Sequence, residues 1–365
     1  MIFKVLSDTQ RRIYVDAAQV FEAFVEAEDR ARSYRGGMHW KKSKGREYLF
    51  RTIDRTGRGK SLGPRSPETE LILARFQESK GAAEERLDGL RERLAEQARL
   101  CRAVQVQRVP RLVAAILRVL RRYELLGDRL LVVGTHALYA YEAAAGVLLD
   151  PMVTATMDLD LLLDSRKRLA LVPPGNLRFQ GLIELLRSVD RSFAVLGKGS
   201  YRAANRDGYM VDLIRPIPDP PWKSEPRRVV EAGGEALMAK DAGHELPGLG
   251  EEGDLTAADV GKLEWLLSSP KFEQIVIGDD GFPALMATTD PRAFLIHKLW
   301  LSNQEDREPV KKQRDRSQAA AVMALIAQFL PQYRLDAKDL RMFPREIVEA
   351  ALAQQPAPSL PPDLG

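Results

Sequence analysis

Two aspartates stand one residue apart in VTATMDLDLLL, residues 153–163, a run otherwise suited to burial. Side chains in an extended strand alternate between faces, so Asp158 and Asp160 share one face, with Cα atoms about 6.5–7 Å apart. At an effective dielectric of 20 they repel by roughly 2.5 kcal/mol, and a bound divalent cation would turn that repulsion into attraction. A third carboxylate, Asp212, sits in YMVDLIRP between Val211 and Leu213, where an unpaired charge is unfavourable. If its strand neighbours the first, three carboxylates converge. Such an all-oxygen donor set suits Mg²⁺ or Mn²⁺, with water and substrate phosphates completing the shell. The competing reading is a solvated strand face or an arginine-paired network, since structural ion pairs hold aspartates too.

Upstream, VVGTHALYAYE reads as a strand ending at Gly134 and a helix starting at Thr135. Backbone N–H groups and a hydroxyl at such a helix start form an anion site. Taken alone, Thr135 is equally an N-cap.

These residues need a scaffold, and the chain supplies one. With 365 residues it can form two or three domains. It has no apolar stretch of membrane-spanning length and its first residues lack the order of a signal peptide, so a cytoplasmic location is expected. One cysteine, Cys101, and four scattered histidines exclude an internal disulfide and a thiolate zinc cage. The net charge of +4 is modest, so any nucleic-acid partner must be argued from local clusters. One such cluster lies in residues 36–67, where Lys41, Lys42, Lys44, Arg46, Arg51, Arg55, Arg58, Lys60 and Arg65 outnumber Glu47 and Asp54. Its first half reads as a hairpin. The lysines there serve either to deter edge pairing or to contact phosphates.

Two phosphate-loop look-alikes fail. GRGKS at 57–61 lacks the first Walker glycine and is followed by a proline-containing loop, and GLGEEG at 248–253 follows no strand and carries two glutamates. Elsewhere the pattern predicts a long helix from Pro67 to Ala103 with an apolar stripe at Leu87, Leu90, Leu94 and Cys101. Further helices are expected at 110–126, at 178–188, from Pro291 and from Pro309. Strands are expected in SFAVLG, YMVDLIRP, FEQIVIG and ALMATT. Residues 216–256 read as loop and the tail as disordered.

The succession of strand, glycine-hydroxyl corner, helix, paired aspartates and a third aspartate on a later strand resembles the DNA polymerase β-like nucleotidyltransferase superfamily. The matched residues are Gly134 and Thr135, with threonine where serine is usual, then Asp158, Asp160 and Asp212. The segment FLIHKLWLSNQEDREPVKKQRDRSQAAAVMALI looks like the helical part of toxin-like and abortive-infection-like members. VVGTHALYAYEAAAGV, HWKKSKGREYL and KSLGPRSPETE look like a poorly characterised bacterial subfamily of that fold.

The resemblance implies an α/β (α+β) core with a mixed sheet over residues 106–290. An N-terminal hairpin and helical region (1–105) and a C-terminal helical region (291–350) would flank it, with a tail at 351–365. It implies two metal ions, Mg²⁺ or Mn²⁺, on Asp158, Asp160 and Asp212, aligning an acceptor hydroxyl with the α-phosphorus of an NTP. Gly134 and Thr135 would hold the β- and γ-phosphates, and Lys298, Lys311 and Arg314 could neutralise the rest of the triphosphate. The bland alternatives are a lysine stem lying along an apolar helix for Lys298, and a solvated face with Asp315 as partner for Lys311 and Arg314. His136 and His297 read as packed or capping residues, because the implied metals prefer oxygen. The acceptor would be RNA held by the 36–67 patch, a tRNA end being one candidate. The alternatives are a protein hydroxyl, as in AMPylation, or an inactive nucleotide- or nucleic-acid-binding module. A cognate antitoxin or a second copy of the chain are candidate partners.

Overall fold

The computed structural model describes residues 3–53, 57–166, 181–217 and 253–353. After β1 (Phe3–Val5) comes α1 (Asp8–Ser33), started by a capping box in which Ser7 and Gln10 exchange side-chain and backbone hydrogen bonds. Three antiparallel strands follow: β2 (Gly37–Ser43), β3 (Arg46–Thr52) and β4 (Gly59–Pro64). The expected hairpin is therefore part of a three-stranded sheet, whose third strand takes in the end of GRGKS and the start of the proline-containing segment read as a loop after it. Helix α2 (Pro67–Ala103) starts on a second capping box, Ser66 with Thr69, and has Pro67 in its first turn. It runs back along α1, so that Phe76 meets Tyr34 and the Gln10 amide donates to the Val104 carbonyl. The apolar stripe packs within the chain. Leu87 and Leu90 meet Ala27, Leu94 meets Val20, Phe21 and Ile275, and Cys101 joins Ile13 and Ala17.

The core begins with α3 (Arg111–Arg122) and β5 (Leu130–Val133). A 3₁₀ turn (Gly134–His136) leads into α4 (Ala137–Ala145), and then come β6 (Val147–Leu149), α5 (Pro151–Thr154) and β7 (Asp158–Leu163). Next are α6 (Leu182–Val189), β8 (Ala194–Val195), β9 (Arg202–Ala204), β10 (Met210–Pro216), β11 (Ala258–Val260) and α7 (Glu264–Ser268). The remainder is β12 (Lys271–Ile277), β13 (Pro283–Thr289), α8 (Pro291–Ser302), α9 (Pro309–Phe329) and α10 (Arg345–Leu352). The loop region read at 216–256, including the glycine-glutamate run, lies largely outside the described residues, as does most of the tail.

The main sheet is mixed, in the order β12-β13-β5-β7-β10-β9-β8, with β11 continuing along β10. Strands β5 and β7 are antiparallel, β7 and β10 parallel, and β10 and β9 antiparallel. Leu159, Leu161, Val211 and Leu213 are buried between the helices and the sheet, as their alternation requires. Met157, which strict strand alternation from Leu159 would also turn inward, is exposed, because it occupies the bend before β7 begins. Helix α3 buries Val113, Ile116, Leu117 and Leu120 in the same cluster. On α4 the Tyr141 hydroxyl donates to the Thr289 carbonyl at 2.7 Å. The outermost strand, β12, is covered. Tyr14 of α1 donates to the Ile275 carbonyl at 2.6 Å, and the N–H groups of Arg108 and Val109 both donate to the Ile277 carbonyl. The whole is a mixed α/β fold, with helices before and after the sheet. No described helix is long and apolar enough to cross a membrane.

Candidate active site

The pairing of β7 with β10 decides where the acidic side chains meet. Met210 is level with Asp158, and Asp212 is level with Asp160 across a parallel ladder. On its other side Asp160 is level with Val133, the last residue of β5, just before the corner at Gly134. The three aspartates named from sequence therefore stand side by side on two adjoining strands, at the end of a third. Crowding has an electrostatic consequence: the Asp160 carboxyl is pushed up to about 7, by loss of solvent first and then by the Asp158 and Asp212 charges, with Lys298 and Arg202 pulling it back. Thr156 donates its hydroxyl to Asp158.

Asp212 has a partner that sequence reading missed. Arg202 on β9 lies directly across from it and makes two hydrogen bonds to its carboxylate, Nε to Oδ1 at 2.7 Å and Nη2 to Oδ2 at 2.6 Å. The arginine-paired alternative thus applies to one of the three carboxylates. Among the described residues no cationic side chain forms a salt bridge with Asp158 or Asp160.

The corner residue must be glycine. Gly134 has φ +67°, and a Cβ there would overlap the Asp160 carboxylate. Thr135 follows in the 3₁₀ turn and makes no capping bond; its hydroxyl accepts from the Gln318 amide of α9 at 3.1 Å. His136 is buried, with Nε2 3.1 Å from the Tyr209 hydroxyl, and burial pulls its imidazole down to about 4, so it is neutral at pH 7.

Helices α8 and α9 bring cations to this end of the sheet. Lys298, buried, donates to Asp315 Oδ1 at 2.7 Å, and Arg307 reaches Asp315 Oδ2 at 2.7 Å. Asp315 is fully buried, so two cations share one carboxylate and the cluster keeps a net positive charge. Burial lowers the Lys298 ammonium, and the Asp315 charge opposes that shift. Lys311 meets Glu308 at 3.1 Å, not Asp315. Arg314 has its Nε buried without a hydrogen-bond partner. Arg307 was not singled out from sequence, because it lies in the polar link SNQEDREP, where nothing distinguishes it from surface charge.

Whether a metal fits depends on these donors. Asp158 and Asp160 offer hard oxygen ligands with which no described cation forms a salt bridge, and Asp160 is a carboxyl that a nearby dication would return to its ionised form. As they stand, no three acidic, histidine or cysteine side chains among the described residues are grouped to hold a metal ion. Arg202 occupies both oxygens of Asp212. The donor chemistry of the pair suits a divalent cation; for Asp212 to join them, Arg202 would have to release it.

A family model described as nucleotidyltransferase matches residues 111–342, which run from α3 through the sheet and beyond α9. The chain belongs to that nucleotidyltransferase family. No curated protein and no solved structure matches it.

Proposed function

We propose that the protein transfers a nucleoside monophosphate from an NTP to a hydroxyl acceptor in a metal-dependent reaction at Asp158, Asp160 and Asp212. The observation that carries this reading is the register of β7 on β10, which sets Asp160 level with Asp212 beside the glycine corner. Asp158 and Asp160 would hold the cation, joined by Asp212 when its pairing with Arg202 gives way. A bound dication supplies charge neutralisation at the α-phosphate and lowers the pKa of the attacking hydroxyl.

The chain's own groups do the rest. Gly134 brings backbone against the carboxylates, Thr135 offers a hydroxyl beside it, and both suit the β- and γ-phosphates. Lys298 supplies positive charge at that end of the sheet, joined by Arg307 and, on the next turns of α9, Arg314 and Lys311. The acceptor proton would pass to one of the carboxylates, since burial makes His136 a weak base and its Nε2 is engaged with the Tyr209 hydroxyl.

For the acceptor we favour RNA. The sheet of β2, β3 and β4 exposes Lys41, Lys42, Lys44, Arg46 and Lys60, a density of positive charge suited to a phosphate backbone. Two basic residues of the patch serve the fold instead. Arg51 holds the carbonyls of Ser33, Arg35, Gly37 and Thr52, and Arg65 pairs with Glu47 and Glu70 over Trp40. Trp40 and Phe50 already carry cations on their rings, so phosphate contact suits this face better than base stacking.

The test is direct. Purified protein is incubated with each α-labelled NTP, Mg²⁺ or Mn²⁺, and total cell extract, and label is sought in RNA and in protein. Labelled RNA that disappears with Asp158→Ala supports the reading. Labelled protein would shift the acceptor to a protein hydroxyl, and transfer that survives Asp158→Ala would remove the proposed site.

A further inference from the structure

Gln318 is fully buried on α9, and its amide nitrogen donates to two acceptors, Thr135 Oγ1 at 3.1 Å and the Val153 carbonyl at 3.0 Å. Its Oε1 is buried with no partner. The two amide ends are not interchangeable here. A backbone carbonyl can only accept, so the atom that touches both Val153 and Thr135 must be the nitrogen. The Thr135 oxygen is then the acceptor in that contact, which leaves its own proton to be donated, and no described residue receives it. The amide is only half used by the fold: its nitrogen meets two acceptors, while its oxygen is buried unsatisfied, a cost that an apolar side chain would not carry.

We propose that Gln318 is a positioning residue for the nucleotide: by donating to Thr135 it fixes the hydroxyl with its proton directed at a triphosphate oxygen. This rests on the reading of Gly134 and Thr135 as the phosphate cradle. A freely rotating hydroxyl can turn a lone pair toward a phosphate, which repels it; a hydroxyl that already accepts one hydrogen bond is oriented as a donor. Asp315, three residues earlier on the same helix, holds Lys298 and Arg307, so α9 sets both the hydroxyl and the cations. Helix α9 is thereby part of the nucleotide site and more than a cover for it.

The experiment titrates the full-length protein with inorganic tripolyphosphate and with each NTP in the presence of Mg²⁺, by calorimetry, with Tm recorded in parallel. The variants are Gln318→Leu, Gln318→Met, Thr135→Val and the double variant Thr135→Val with Gln318→Leu. Gln318→Leu is expected to weaken tripolyphosphate and NTP about tenfold, with Tm changed little, because losing the donor to the Val153 carbonyl is offset by removing the unsatisfied amide oxygen. Thr135→Val should lose a similar factor and the double variant no more than either, because the two act as one unit. Unchanged binding in Gln318→Leu and Gln318→Met while Thr135→Val weakens it, or losses that multiply in the double variant, would overturn the proposal. So would a fall of several degrees in Tm in both Gln318 variants with ligand binding intact, which assigns the amide to packing. If the wild type binds neither ligand, or Thr135→Val binds both normally, the cradle itself fails and this role goes with it.

Discussion

Asp160 is the residue at which stability and activity pull apart. It faces two carboxylates and sits with its own ionisation displaced to about 7, so in the metal-free protein its charge opposes folding. Asp160→Asn keeps the shape and removes the repulsion. That variant is expected to raise the Tm of the metal-free protein at pH 8 by a few degrees while abolishing transfer, as happens where function holds like charges together. Mn²⁺ should raise the wild-type Tm and leave the variant's nearly unchanged, because binding to the native state stabilises it by mass action. A lower Tm in Asp160→Asn, checked by thermal unfolding with and without Mn²⁺, would mean that the carboxylate makes a net favourable contact and the crowding account is wrong.

Among the elements, α8 shows how burial sets the acid limit of the fold. His297 is buried against Trp300, and burial draws its imidazole down from 6.5 to about 3. Above pH 6.5 the imidazole is neutral in both the folded and unfolded chains. Below that the unfolded chain binds a proton that the folded one refuses, so stability falls as pH drops from 6.5 toward 3. His136 acts with the same sign down to about 4. His297→Phe is expected to lose less Tm than wild type between pH 7.5 and pH 5, and equal losses would show that His297 takes no part.

How much of this was legible in advance differs by element. Strands β7 and β10 were readable because each places a charge inside an apolar run, and the corner because a glycine and a hydroxyl fall between a buried strand and an alanine-rich helix. Strand β9 was not readable: it is three residues long, and Arg202 gains meaning only when a turn folds it back across Asp212. Helix α1 could have been found, since Ser7 and Gln10 form a capping box signature and Ile13, Ala17, Val20 and Phe21 follow at helical spacing. Gln318 left no signal, because α9 buries Asp315, Gln318 and several apolar residues together and shows no clean polar face.

At the scale of the whole molecule, the basic sheet at the far end of the α1–α2 pair is where an acceptor would be gripped. Replacing Lys41, Lys42 and Lys44 with alanine is expected to weaken RNA binding at 100 mM salt by tenfold or more. The slope of log affinity against log salt should fall by up to about 2–3, since each lost phosphate contact releases about one counterion fewer. Tripolyphosphate binding should be untouched. An unchanged slope in a filter-binding series would place the acceptor elsewhere.

The matched family residues begin at 111, so the two long N-terminal helices lie outside them, yet these helices close the border of the main sheet. Tyr14, Val20, Phe21 and Leu94 lie over Ile275, Phe282 and Leu285, and Tyr14 caps a carbonyl that β12 would otherwise show to its surroundings. Shortening the chain to start at residue 106 would bare an unpaired ribbon with a greasy flank, the kind of border that recruits other chains. Such a fragment is expected to precipitate on expression, where the intact chain stays dispersed in a sedimentation run. On this account the N-terminal third would keep the family-matched part of its own chain from sticking to its neighbours.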